Sequence, residues 1–486
     1  MAPSGFRVIV VGGGPTGLTA AHMLSKAGID FVLLEKRDTC MAEIGAALVV
    51  GPGTARVYDQ LVTHGGRYYN THHLFRWIAE NHGHRPLAMN RPELVKLLYD
   101  SLSENDKARI LTGKGVFSVE THKDKVVVKC TDGTAEEGSI VIGADGVHSE
   151  VRSAMRRLAL KQSPTAKVNE EKPFLTTYRC LFGTTPLIPG LYPGETWGGH
   201  GGKASTQTFV GRDRAWFFLY EELERPTRER NQYSKEDAAR YAERWANLAI
   251  TDRLKVKDLY HAALKCTLVD LQEGLLDVFS WDRLVLVGDA LCKHTPNAGN
   301  GYNSGVQDLV VLVTGLYRLL HGLPKGHVVD SDAIKAVFEE FQRVREKELH
   351  ELQQRSAAMT RLQAWATWKD WLIERWIVPS LCLDKALIQA LGAAANKNIQ
   401  VLPFLEEQDL LHGKIPWENY PEGIEKRPAK HNDLNWGRLL VVILVVAVAL
   451  GLTRSALLSR IGISSYGIHL SQFARTLDYI VKHKIE

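Results

Sequence analysis

Cysteine is scarce in this chain: six in 486 residues, far apart and without a Cys-x-x-Cys pair. That excludes a disulfide scaffold and a zinc ribbon and reads as reduced thiols in a cytosol-facing protein. No Asn-x-Ser/Thr sequon occurs. The 18 histidines include no His-Glu-x-x-His, since His350-Glu351 is followed by Gln354, so no metal site is expected. An excess of one charge is also lacking. Lys and Arg number 60 against 55 Asp and Glu, a net +5, too small to argue for nucleic acid as a partner. Most of that excess lies late: from Leu434 to Glu486 six Lys/Arg stand against Asp478 and Glu486. With 41 Gly and 18 Pro, collagen-like and low-complexity architectures are excluded. No charged start precedes a long apolar run at the N-terminus, so no signal peptide is expected. No internal repeat is evident. At ~150 residues per domain the length suggests about three units.

What is present begins at once. Phe6–Val11 (FRVIVV) is a β-branched run of strand length, Gly12–Gly17 (GGGPTG) follows, Leu18–Ala27 has helical composition, and Ile29–Leu34 is a second apolar strand ending in Glu35. This is a βαβ unit. Val126–Lys129 and Ser139–Ile142 read as later strands. Leu175–Phe182, Ser205–Val210 and Ala215–Tyr220 read as strands of a β-rich insert, and Gly198–Gly202 as a loop. Ser234–Ala249 reads as a helix with Ser234 and Asp237 as a capping pair. Leu284–Val287 is a further buried strand, and helices follow over Asn303–His321 and Asp332 to about Leu362.

Gly12-x-Gly14-x-x-Gly17 is a weak signal alone, but here it has a strand before, a helix after, and Glu35 eighteen residues past Gly17. Gly12 permits the tight turn. Gly14 lets backbone N–H groups approach a pyrophosphate at a helix N-terminus, and Gly17 lets helix and strand pack closely. Glu35 can accept hydrogen bonds from a ribose. The motif does not separate NAD from FAD.

Two later segments do. Ile142–Arg152 reads IGADGVHSEVR, and Val287–Asp308 reads VGDALCKHTPNAGNGYNSGVQD. With the fingerprint, they resemble the three signatures of the group A flavin monooxygenases, the p-hydroxybenzoate hydroxylase-like family. The resemblance covers roughly Phe6 to Leu362. It implies an α/β, Rossmann-like FAD-binding domain with an inserted β-rich substrate domain. It further implies bound FAD and transient NADPH, and no second Gly-x-Gly-x-x-Gly follows a strand. The cofactor-binding candidates are Gly12, Gly14, Gly17, Glu35, Val49, Arg91, Asp145, Asp289, Gly299, Gly301 and Tyr302. Asp289, at the end of a buried strand, can bind a ribityl hydroxyl. The Gly299–Gly301 amides can approach a flat polar ring edge. Either aspartate could instead only cap its turn. Cys292 stands where the family carries histidine, which makes it a poor acid or base.

The opening FRVIVVGGGPTGLTAAHMLSKAGIDFVLLEKRD and the later IGAALVVGPGTARVYDQL look most similar to fungal FAD-dependent epoxidases of meroterpenoid and paxilline-type pathways. The resemblance implies NADPH- and O₂-dependent oxygen transfer to an alkene of a hydrophobic prenylated substrate. An alkene has no proton to lose, so no general base is needed, and the pocket should be apolar. Phe209, Trp216, Phe217, Phe218 and Tyr220 suit that lining, though ordinary sheet core would use them equally well. Relatives have an active-site arginine in this insert, and by position Arg179 is the catalytic candidate. Two other functions stay open: an aromatic or polyketide hydroxylase of the same fold, and a non-enzymatic prenyl-binding escort protein.

The expected organisation is residues 1–166 and 284–362 for the FAD-binding domain, 167–283 for the substrate domain, and 363–486 for a C-terminal helical region. Within that region Leu439–Leu452 is fourteen apolar residues without a charge, with Trp436 and Arg438 before it and Arg454 after it. At ~1.5 Å per residue it spans about 21 Å, short of a ~30 Å hydrocarbon core unless the flanking arginines snorkel. The expectation is membrane attachment, at the endoplasmic reticulum, with the catalytic domain facing the cytosol.

Overall fold

The computed structural model describes residues 5–41, 47–61, 73–84, 86–324, 328–377, 396–407 and 411–423. Contacts gather Met1–His431 into one unit and Asn432–Glu486 into another. The apolar segment Leu439–Leu452 lies outside the described residues, among which no helix is long and apolar enough to cross a membrane.

The chain opens with β1 (Arg7–Val11), α1 (Pro15–Lys26) and β2 (Asp30–Leu34). β1 and β2 pair in parallel, with Val8 opposite Phe31. Val8, Ile9 and Val10 are all fully buried, so the strand reads as a continuous apolar run. The helix starts earlier than Leu18 because Pro15 stands in its first turn, where a missing N–H leaves nothing unpaired. β3 (Ala47–Val50), α2 (Pro52–Leu61), β4 (Leu87–Asn90) and α3 (Arg91–Asp100) come next, with β3 and β4 antiparallel. Val126–Cys130 is the middle strand of a separate three-stranded sheet. β5 (Ile140–Gly143) then returns beside β1 in parallel and leads into α4 (Glu150–Gln162).

The insert follows as β6 (Leu175–Pro186), β7 (Thr196–Gly201), β8 (Ala204–Val210), β9 (Arg214–Thr227), α5 (Lys235–Arg244) and β10 (Lys265–Leu275). β11 (Leu284–Leu286) rejoins the parallel sheet beside β5, and the helices α6 (Asn300–Gly322) and α7 (Ser331–Gln363) complete the core. The insert sheet runs β7-β8-β9-β6-β10 and ends on the two-residue strand Cys292–Lys293. There Cys292 pairs with Leu275 and Lys293 with Gly274. The insert is thus joined by backbone hydrogen bonds to the loop that carries Asp289.

Three expectations for the insert change. The region around Gly198–Gly202 is mostly strand, not loop. A side chain at Gly199 would lie 2.1 Å from the Ala249 carbonyl, so glycine here permits close backbone approach. α5 begins as expected at the Ser234 and Asp237 capping box but stops at Arg244. β10 was not anticipated.

Much of the expected helical region after α7 lies outside the described residues. A short helix at Trp368–Leu372 runs into a π-helical turn, and residues 396–407 and 411–423 form an irregular strap. The strap is held by side-chain amides: Gln307 bonds both the N–H and the carbonyl of Gln400, and Gln60 does the same at Leu402. Arg56 of α2, fully buried, pairs with Glu407 at 2.6 Å and lies against the ring of Trp417.

Candidate active site

The fingerprint glycines divide by what surrounds them. Gly12 has φ +108°, and a Cβ there would lie 2.6 Å from the Ala144 carbonyl oxygen. A Cβ on Gly17 would lie 1.8 Å from the Gly12 carbonyl oxygen. Both positions require glycine for packing. Gly14 is different: a Cβ would meet only the Arg91 guanidinium, at 3.3 Å. Here the backbone opens toward a cation. Gly14 is also the N-cap of α1, with no side-chain cap and no acid in the first turn. By contrast α4 is capped by Ser149 and α5 by Ser234. The N-terminus of α1 therefore offers N–H groups and a partial positive charge to an outside anion.

Glu35 ends β2 and is buried, with one carboxylate oxygen accepting from the Gly13 N–H at 2.7 Å and the other from the Arg37 N–H at 3.0 Å. A carboxylate has about four acceptor sites, so capacity remains for ribose hydroxyls. Arg91 opens α3 beside a capping box formed by Asn90 and Glu93. Burial pulls its guanidinium below the usual range, with Asp289 opposing.

In the second motif the carboxylate of Asp145 accepts from the Ser149 hydroxyl at 2.6 Å and from the N–H groups of Glu150 and Val151. It braces the turn and the start of α4. Asp145 is not among the residues that line the cavity described below. Arg152 donates to the carbonyls of Ala290, at 3.1 Å, and Val147, at 2.8 Å, which ties the second motif to the third.

In the third motif the Gly288 N–H donates to Asp308, whose other oxygen pairs with Arg345 at 2.8 Å, both side chains being fully buried. This fixes the Gly288-Asp289 turn. Asp289 accepts from the Lys293 ammonium at 2.5 Å. Burial pushes its carboxyl up, but Lys293, His294 and Arg91 outweigh that and hold it below the usual range. Asn303 bridges the two walls, accepting from the Gly51 N–H and donating to the carbonyls of Val49 and Gly299. Gly299, at φ +65°, is the N-cap of α6, again with no side-chain cap and no acid in the first turn. Tyr302 turns its hydroxyl to Thr19, at 2.9 Å. Burial raises the Cys292 thiol far above its ordinary value, which agrees with its exclusion as an acid or base. His294 lies 3.4 Å from that thiol, and burial lowers it to about 4.

These elements enclose a cavity of about 580 Å³. Val49, Asp289, Gly299, Gly301 and Tyr302 line one side, and Phe209, Phe218 and Tyr220 of the insert sheet line another. Asn396 and Ile399 bring the strap into the wall. Strand parity decides which insert residues take part. Trp216 shares the face of Phe218 and Tyr220, whereas Phe217 packs on the opposite face with Leu219 and Tyr241 of α5. Phe217 is therefore not a cavity residue.

Arg179 is on that opposite face too. It donates to Glu221 at 2.8 Å and lies over the ring of Tyr241. This removes Arg179 from the cavity and corrects its place as the catalytic candidate.

A family model described as an FAD binding domain matches residues 6–333. The FAD-dependent monooxygenase spyC of Aspergillus fumigatus is 35% identical over 385 residues, covering 74% of this chain and 80% of its own. The FAD-dependent monooxygenase penE of Penicillium thymicola is 30% identical over 463 residues, covering 89% and 94%. The chain belongs to the fungal FAD-dependent monooxygenases. Solved structures agree on the fold of this monooxygenase. HpxO of Klebsiella pneumoniae, complexed with FAD and uric acid, superposes with a TM-score of 0.57 at 22% identity, over 78% of this chain and 97% of its own. The 2,6-dihydroxypyridine-3-hydroxylase of Arthrobacter nicotinovorans gives 0.56 at 19%, over 76% and 95%.

The monooxygenase's residues fit FAD on their own geometry. Two helix N-termini without side-chain caps, the open backbone at Gly14 under Arg91, and the open backbone at Gly301, where a Cβ would come no closer than 3.7 Å to Asp289, form a polar-edged cradle. Sequence reasoning missed Lys293, Asn303 and Gln207. Asn303 stood in the third motif and could have been found there. Lys293 and Gln207 carried no signal before the fold placed them.

Proposed function

We propose that this monooxygenase epoxidises an alkene of a prenylated, largely apolar substrate in fungal secondary metabolism, with NADPH as reductant. In this reading the start of α1, with Gly12, Gly14 and Gly17, and Arg91 hold the FAD pyrophosphate. Glu35 holds the ribose, Asp289 the ribityl chain, and the Gly299–Gly301 amides the ring edge. Bound FAD supplies the activated oxygen atom. The chain's own task is to seat the alkene and exclude water. The observation that carries the reading is the cavity wall: Phe209, Phe218, Leu48, Val49, Leu352 and Met359 make an apolar chamber against the GDA loop. Among the described residues no lining group is poised as a base. Asp289 is paired with Lys293 and Glu348 with Arg345, while burial lowers His294 to about 4. An alkene, unlike a phenol, needs none. The test is NADPH consumption with matched acceptors. A prenylated phenol should accelerate it and the same phenol without the chain should not. Equal acceleration by both would favour ring hydroxylation, and absence of flavin would favour a binding protein.

The same reading gives Leu439–Leu452 a use as a membrane anchor that keeps the enzyme at the endoplasmic reticulum surface, facing the cytosol, where a prenylated substrate partitions. The segment is apolar on every face, and Trp436 precedes it as interface aromatics do. Carbonate washing of membranes should retain the full chain and release a chain ending before Trp436. Release of both would remove the anchor.

A further inference from the structure

The insert-sheet wall of the chamber carries a polar pair. Gln207 of β8 and Tyr220 of β9 both line it, on the face of the insert sheet that also carries Phe209 and Phe218. The Tyr220 hydroxyl donates to the Gln207 carbonyl oxygen at 3.2 Å, and the Gln207 amide donates to the Asn297 carbonyl at 3.3 Å. Both contacts are longer than ordinary hydrogen bonds of their kind, which centre near 2.7–2.8 Å for a hydroxyl and 2.9–3.0 Å for an amide. The pair is oriented but loosely satisfied. One amide hydrogen of Gln207 and a lone pair of Tyr220 remain for a third partner. The orientation is imposed from both walls. Asn297 belongs to the loop before α6, and its own side chain is fixed by Gln363 at 2.8 Å and Thr360 at 3.1 Å.

We propose that Gln207 and Tyr220 form the substrate-recognition point of this cavity, and that it receives one neutral oxygen function, a hydroxyl or a ketone, of an otherwise apolar substrate. This rests on the reading of the cavity as the substrate site. Neutrality follows from the rest of the lining. Its charged residues are Asp289, Lys293 and Glu348; Lys293 is taken by Asp289, and Glu348 by Arg345. Among the described residues no lining cation is left to receive a carboxylate, and an unpaired buried carboxylate is expelled to water. Burial raises the Tyr220 phenol well above its usual range, so it stays a neutral hydroxyl that both donates and accepts. A hydroxyl meeting Gln207 and Tyr220 finds a donor and an acceptor, whereas a hydrocarbon leaves that amide hydrogen and lone pair without a third partner.

The test uses the full-length, flavin-loaded protein and three acyclic probes of one skeleton: farnesol, farnesene and farnesoic acid. Binding at pH 8 is read as perturbation of the flavin absorption spectrum. Farnesol should bind about tenfold more tightly than farnesene, the worth of one good hydrogen bond, and farnesoic acid no better than farnesene. In Tyr220→Phe and Gln207→Leu, both close in shape to the native residues, farnesol should fall to within about threefold of farnesene, with flavin content unchanged. Retention of the farnesol preference in both variants, farnesoic acid binding as well as farnesol, or no farnesol binding to flavin-loaded protein overturns the proposal and leaves the flavoprotein reading standing. A purified protein without flavin overturns both.

Discussion

The ammonium of Lys293 lies 2.5 Å from the carboxylate of Asp289, and both side chains line the same cavity. The two residues are four apart, Asp289 in a 3-10 turn and Lys293 on the short strand that follows it. The turn is held from behind by the buried pair of Asp308 and Arg345 and clamped to the insert sheet through Cys292 and Lys293. The position of the carboxylate is therefore set by three separate parts of the chain.

Asp289→Asn should lower FAD affinity by about ten- to a hundredfold, the loss of one charge-assisted hydrogen bond together with an unpaired Lys293. Titration of apoprotein with FAD, followed by quenching of flavin fluorescence, measures it. Undiminished affinity would remove Asp289 from the cofactor site.

Arg179→Ala should leave flavin content and activity within about twofold of the native enzyme, since removing a partly exposed ion pair costs little. Arg244 also pairs with Glu221, at 3.0 Å, and keeps that buried carboxylate compensated. A fall in turnover of a hundredfold with normal flavin content would restore Arg179 to the site.

Arg345→Met should destabilise the protein by about 3–5 kcal/mol, because it strands the buried charge of Asp308. The double variant with Asp308→Asn should lose less than the sum of the two single changes. Denaturant midpoints for the four proteins decide it, and strict additivity would contradict the pairing.

Burial depresses His82, His84 and His294 to about 4, with Arg56 adding to the effect at His84. Above their unfolded value of about 6.5 all three are neutral in both states. As pH falls from there toward 4, the unfolded chain takes protons that the folded chain refuses, so stability is lost across that window. At pH 5 the loss is roughly 2 kcal/mol each for His82 and His294, and smaller for His84, whose ring lies 3.2 Å from the Asp59 carboxylate. His82 and His84 pack beneath Trp417 of the strap, so the loss should appear first there. Thermal midpoints at pH 7.5 and pH 5 should differ clearly in the native protein and less in His82→Leu. Equal midpoints would contradict it.

The parallel core and the three motifs were legible because buried parallel strands are continuous apolar runs and their turns need glycine at fixed places. The face on which an insert residue stands was not. In β6, Tyr178, Cys180, Leu181 and Phe182 are apolar on both sides of the strand, since one face packs on α5 and the other on the cavity wall. With no polar side, the alternation that would have placed Arg179 is erased. An irregularity between Thr176 and Tyr178 shifts the register as well. β7 was hidden for another reason: Gly198, Gly199 and Gly201 look like a loop, and the approach of the Ala249 backbone explains Gly199 while the Leu248 side chain crowds Gly201. The strap over α2 carries no periodic pattern, because side-chain amides rather than a strand or helix ladder hold it.

The proposed reaction is oxygen transfer to an alkene in the chamber beneath Phe209 and Phe218. The direct measurement is product analysis after turnover of the purified, flavin-loaded enzyme with NADPH, a farnesylated phenol and isotopically labelled dioxygen. Each product molecule should carry one labelled oxygen atom, as an epoxide on the prenyl chain. Label on the aromatic ring, or a product oxygen drawn from water, would contradict it.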